Sequence, residues 1–144
     1  MSLQELEDKE AIREVIDRFS TLEINVREQA KLFTPDTKIT IYTRDKKIME
    51  INGNKDMEEK FGAAMANAKS SFHMNGQQVI ELKNDHEATD THYCQATIEN
   101  EVNGENVLNI SSIRYIDTLI KQEGKWLIAS REQHIIFSEQ RTYE

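Results

Sequence analysis

The chain has 144 residues, with 18 basic and 26 acidic side chains for a formal charge of −8, and 38% of it is hydrophobic. Such a length makes one domain (residues 1–144) that buries roughly 70% of its unfolded surface without a staple, in keeping with a single cysteine, Cys94. The acidic balance argues against a general nucleic-acid binder, no apolar run approaches the ~20 residues of a membrane span, and Met1 to Glu10 lacks the regions of a signal peptide, so a cytoplasmic location is expected.

Ile12, Val15, Ile16, Phe19 and Leu22 recur at three- and four-residue spacing, with Glu10, Arg13, Glu14, Asp17 and Arg18 opposite them, which predicts an amphipathic first helix. Ser2 and Glu5 have capping-box spacing, and Asp8 is an equal alternative start. A second, shorter helix is expected from about Val26 to Phe33, stopped by Pro35. After Pro35 the period becomes two, since Ile39, Ile41 and Thr43 alternate with Thr40, Tyr42 and Arg44 in a first strand. Asp45 to Lys47 turn the chain into a second strand, Ile48 to Ile51, which ends at Asn52-Gly53. A third helix runs from roughly Asp56 to Ala68 with Met57, Phe61, Ala64, Met65 and Ala68 on its apolar face.

Four long extended segments follow, approximately Ser71 to Lys83, Glu87 to Val102, Glu105 to Gln122 and Lys125 to Ser138. Asn84-Asp85, Asn103-Gly104 and Glu123-Gly124 separate them, each a pair that tolerates the positive φ of tight hairpins. Long strands joined by short turns make an antiparallel meander that twists and curls, and three helices covering its concave face define an α+β fold.

This order of elements resembles the SnoaL-like branch of the nuclear transport factor 2-like superfamily. The resemblance is carried by Glu10-Ala-Ile-Arg-Glu-Val-Ile-Asp-Arg-Phe19, Leu32-Phe-Thr-Pro-Asp36, Phe72-His-Met-Asn75, Arg114-Tyr-Ile-Asp117 and Gly124-Lys-Trp-Leu-Ile-Ala-Ser-Arg131. It implies a cone-shaped α+β barrel of about six mainly antiparallel strands around a deep pocket, and a homodimer joined through the outer sheet face. It does not imply one function, because the superfamily holds dehydratases, isomerases and cyclases beside non-catalytic binding proteins.

The same resemblance draws attention to His73, which begins the third strand where similar dehydratases and cyclases carry a pocket histidine that moves a substrate proton. A histidine held by a hydrogen bond and doing no chemistry is the alternative. Asn75 shares its face and could orient a carbonyl or hydroxyl. Similar dehydratases polarise the histidine with an aspartate after the first helix, whereas Ser20-Thr-Leu-Glu-Ile-Asn25 offers only Glu23. Asp117, on one strand face with Tyr115, is a second possible partner, although ordinary cross-strand hydrogen bonding explains that pair as well.

His92 shares a face with Ala88, Asp90, Cys94 and Ala96, whose small side chains suggest that this face meets the helices and that His92 enters the cavity with His73. No zinc motif surrounds either histidine, so neither a metal nor a cofactor is called for. Tyr42 and Trp126 are expected to line the cavity while serving as core. Arg131 would meet a ligand carboxylate or Asp117 if it pointed inward, but strand parity sets it opposite Trp126, outward or at a dimer interface. The expected function is a pocket for a small organic ligand. It serves either cofactor-free acid–base catalysis (dehydration, isomerisation or cyclisation) through His73 or non-catalytic binding.

Overall fold

The computed structural model describes residues 1–143 as three helices and six strands. Helix α1 (Leu3–Leu22) opens on a complete capping box, in which the Glu5 amide donates to Ser2 Oγ at 3.1 Å and the Ser2 amide donates to Glu5 Oε1 at 3.2 Å. Ile12, Ile16 and Phe19 are its buried stripe. Helix α2 (Val26–Ala30) is shorter than its periodicity suggests, because the chain is already extended at Phe33. Pro35 therefore lies inside strand β1 (Phe33–Thr43), in the stretch where pairing with β6 is interrupted and no ladder donor is needed.

The turn from β1 into β2 (Lys46–Asn52) is Arg44-Asp45, with φ of 49° and 68°, the backbone that matches the twist of a two-residue hairpin. Gly53, at φ 94°, then starts helix α3 (Asn54–Met65); a side chain there would crowd the Pro35 carbonyl at 3.1 Å. Strands β3 (Ser70–Leu82), β4 (Glu87–Val102), β5 (Glu105–Gln122) and β6 (Lys125–Tyr143) form the antiparallel meander. Positive φ occurs at Asn103-Gly104 and Glu123-Gly124, whereas Asn84 makes its turn differently, its side chain accepting from the His86 amide at 2.9 Å.

The sheet order is β2-β1-β6-β5-β4-β3, with β1 parallel to β6 and every other pair antiparallel. It stays open, with β2 and β3 as edges, so the expected barrel is an unclosed one. Ile12, Ile16, Phe33, Ile39, Ile51, Met57, Leu119 and Ile128 are fully or almost fully buried between helices and sheet. Removing each from water contributes roughly 1.5–3 kcal/mol, which makes this end of the sandwich the main source of cohesion. No helix among the described residues is long and apolar enough to cross a membrane.

Two bulges set which side chains look inward. The β5–β6 register passes from Thr118↔Ser130 to Leu119↔Ile128, leaving Ala129 unpaired. The Thr37 hydroxyl seals this bulge against the Ile128 and Ala129 carbonyls at 3.2 and 3.0 Å. Trp126 and Ile128 are buried before the bulge and Arg131 after it, so parity reverses. Of the two positions open to Arg131 the structure takes the inward one, against simple strand alternation: it is 1% exposed and belongs to the core. A comparable jump in β3, between Asn75 and Gln78, turns both of those side chains toward α1.

Candidate functional site

A cavity of about 180 Å³ lies between the sheet and the helices. Its helical wall is Phe19, Glu23, Val26, Gln29, Phe61 and Met65, and its sheet wall includes His73, Ala96, Asn109, Ser111, Ile113, Tyr115 and Gln133. The surface these residues expose to the cavity is mainly apolar, although about half of them carry a polar group.

Glu23 reaches the wall because α1 stops abruptly. It has φ 55° and ψ −111°, a left-handed backbone that a non-glycine residue adopts only when its surroundings hold it there. Gln29, 3% exposed, supplies that hold: its amide nitrogen donates to the Phe19 carbonyl at 2.9 Å and to the Glu23 carbonyl at 2.7 Å. Helix α2 is thus pinned to the end of α1 at the position that turns Glu23 into the cavity.

His73 stands half-buried on β3, opposite Ala96, and its Nδ1 lies 2.9 Å from Ser71 Oγ. Burial pulls its pKa below the ordinary histidine value, and the nearby Glu23 carboxylate works in the opposite direction without overcoming it. The imidazole is consequently neutral at pH 7. Ser71 sits two residues earlier on the same strand face, and its hydroxyl can donate or accept, so both ring tautomers are supported. No hydrogen bond joins His73 to a carboxylate among the described residues.

Tyr115 forms the floor. Burial raises its pKa above the ordinary phenol value, against the opposing influence of Arg131, so it stays a protonated hydrogen-bond donor. Beneath it lies a second, sealed cluster. Arg131 Nε and one terminal nitrogen each donate to Asp117 at 2.8 Å, a bidentate pair in which both side chains are 0% exposed. The guanidinium carbon stands 4.1 Å from the Phe19 ring centre and 4.3 Å from that of Tyr115. Burial alone would lower the arginine's pKa, but Asp117 outweighs it and keeps the charge. His92 stacks on Tyr115 at 4.8 Å, with Nδ1 3.2 Å from Asp90 Oδ1. Burial holds the Asp90 carboxyl above the usual carboxylate range despite that hydrogen bond.

The expected constellation is therefore divided. His73, Glu23 and Tyr115 meet at the cavity. Asp117 is committed to Arg131 and does not partner His73. His92, expected beside His73, lies behind Tyr115 and outside the cavity wall. Asn75 ties α1 to β3, accepting from Ser20 Oγ at 2.7 Å and donating to Asp17 at 3.1 Å. Trp126 is core, its indole nitrogen donating to Asp8 at 3.1 Å. Tyr42 stacks on His134 at 4.7 Å on the opposite face of the sheet, alternating with the buried Ile39 and Ile41. Gln29 and Ser71 escape notice in the sequence, since a glutamine in a short helix and a serine at a strand start carry no pattern of their own. Cys94 is buried, and burial raises its thiol pKa, which leaves it inert. Among the described residues no group of three His, Cys, Asp or Glu side chains is arranged to hold a metal.

Three helices on one face of an open, mainly antiparallel sheet, with a cavity between them, define a cystatin-like α+β fold. The chain belongs to the SnoaL-like domain family, whose model matches residues 4–132. A scytalone dehydratase-like protein from Novosphingobium aromaticivorans superimposes with a TM-score of 0.83 at 19% identity, covering 100% of this chain and 93% of that one. A type 2 hexachlorocyclohexane dehydrochlorinase gives 0.79 at 12% identity over 96% and 92% of the two chains. A cystatin-like-fold protein of unknown function from Nostoc punctiforme gives 0.67 at 20% over 89% and 90%. At these identities the likeness is one of fold. No curated protein sequence matches the chain.

Proposed function

We propose that the cavity takes one small organic molecule and that His73 exchanges a proton with it in a cofactor-free reaction of the dehydratase, isomerase or cyclase type. The observation that carries this reading is a neutral imidazole on the sheet wall of a cavity whose surface is mainly apolar, with a phenol on the same wall and a carboxylate on the facing helical one. In the proposed step His73 takes a proton from carbon or oxygen of the ligand and becomes an imidazolium that Glu23 stabilises across the cavity. The Tyr115 hydroxyl donates to the oxygen where negative charge develops, and His73 then returns the proton. The names of two structural neighbours, a dehydratase-like protein and a dehydrochlorinase, are in keeping with such proton abstraction.

The test is solvent deuterium uptake by a panel of enolisable ketones and polyketide fragments. Replacing His73 by Ala is expected to slow uptake by about 10²–10⁴-fold. Equal rates for the two proteins would reject catalysis. A second reading, non-catalytic binding in the same cavity, draws support from the His73 partner being the Ser71 hydroxyl rather than a carboxylate. It predicts ligand binding with no exchange in either protein.

The proposal extends to a homodimer through the outer sheet face, where Phe72, Met74, Val79, Tyr93 and Phe137 are all exposed. A monomer by light scattering at micromolar concentration would remove that part. A cytoplasmic home is in keeping with the single unpaired Cys94.

A further inference from the structure

We propose that the cavity selects ligands carrying an ammonium group over neutral isosteres, and those over carboxylates, with Glu23 as the selecting residue. This rests on the reading that the cavity takes a small ligand, and names the class of that ligand.

Among the described residues Glu23 is the only carboxylate on the wall, and no lysine or arginine lines it. Among the described residues its side chain has no hydrogen-bond or ion-pair partner; only its backbone is engaged, by Gln29 and Ser20. Arg131, beneath the floor, is screened behind Phe19 and Tyr115 and already neutralised by Asp117. His73 does not supply a counter-charge, because burial keeps it neutral. A partly buried carboxylate without a partner in an apolar cavity attracts a cation and repels an anion more strongly than it would in water. The fold also pays to keep it there, through the left-handed backbone at Glu23 and the buried Gln29 that fixes it. A cavity of about 180 Å³ suits one substituted ring.

The probes are benzylamine, benzyl alcohol and benzoate, which differ in charge and hardly in size. Titration by calorimetry at pH 7 and fixed ionic strength is expected to give benzylamine at least about fivefold tighter than benzyl alcohol, with benzoate weakest. In Glu23→Gln the three affinities should converge, while an unchanged urea-unfolding midpoint shows that the fold is intact. That substitution changes the formal charge of −8 by one, so attraction by the whole acidic molecule is nearly the same in both proteins. Benzoate binding as tightly as benzylamine, or a preference that survives in Glu23→Gln, overturns the selectivity and leaves the cavity reading in place. No binding of any probe overturns both.

Discussion

His73 and His92 both project from the inner face of the sheet, yet their surroundings differ at almost every point. His92 is 0% exposed, stacked on Tyr115 and held by Asp90 within a cluster that also locks Arg131 to Asp117. His73 is half-buried, meets only a serine hydroxyl, and opens onto the cavity with Glu23. By residue type alone the sealed group is the more obvious acid–base centre, having two carboxylates, an imidazole and a guanidinium. Its burial removes it from any ligand, and its internal pairing makes it a part of the frame. The poorer group is accessible, and accessibility decides which of the two can do chemistry.

The contrast can be broken first at the sealed cluster. Replacing Asp117 by Ala leaves a buried guanidinium without its anion and should cost about 3–5 kcal/mol in urea unfolding. Replacing both partners, Asp117→Leu with Arg131→Met, should restore most of that stability. A small loss in the single variant would mean that the pair does not support the floor of the cavity.

Removing the Gln29 amide by Gln29→Ala should cost about 1–3 kcal/mol, because the Phe19 and Glu23 carbonyls lose their donor. It should also weaken the discrimination between benzylamine and benzoate, as Glu23 is released from its turn. Retained discrimination would show that the turn holds without Gln29.

Asp90→Asn sharpens the comparison by its sign. The native pKa of Asp90 is raised above its ordinary 3.8, so its ionisation opposes folding. That cost is absent below the ordinary value and grows as pH rises through the raised native one. The variant should therefore match or exceed wild type at pH 7 by up to about 1 kcal/mol, and the gap should close in acid. A loss above about 2 kcal/mol at pH 7 would instead make the ionised carboxylate a net support.

Much of this arrangement was readable from the residues. The capping box, the apolar stripe of α1, and the hairpins at Asn103-Gly104 and Glu123-Gly124 are local, and local chemistry specifies them. The meander follows from those turns. The parallel pairing of β1 with β6 joins residues about ninety positions apart, such as Ile39 and Arg131, and no short-range signal announces it. The bulge at Ala129 has neither glycine nor proline to mark it, and it reverses the parity that decides where Arg131 points. His73 could be named because the chain has only four histidines and this one begins a strand, and Glu23 because it is the one carboxylate in the Ser20–Asn25 stretch that follows the first helix. Asp117 could be named as one of two anions for an inward Arg131, but which way Arg131 points depends on the bulge, and the sequence does not show it.

The most direct measurement is an NMR pH titration of the His73 ring in wild type, Glu23→Gln and with benzylamine added. The account predicts a midpoint below the ordinary 6.5, lower still in Glu23→Gln because that carboxylate opposes the shift, and a ring signal that moves when the amine binds. A midpoint at or above 6.5, unaffected by Glu23 or by the amine, would contradict it.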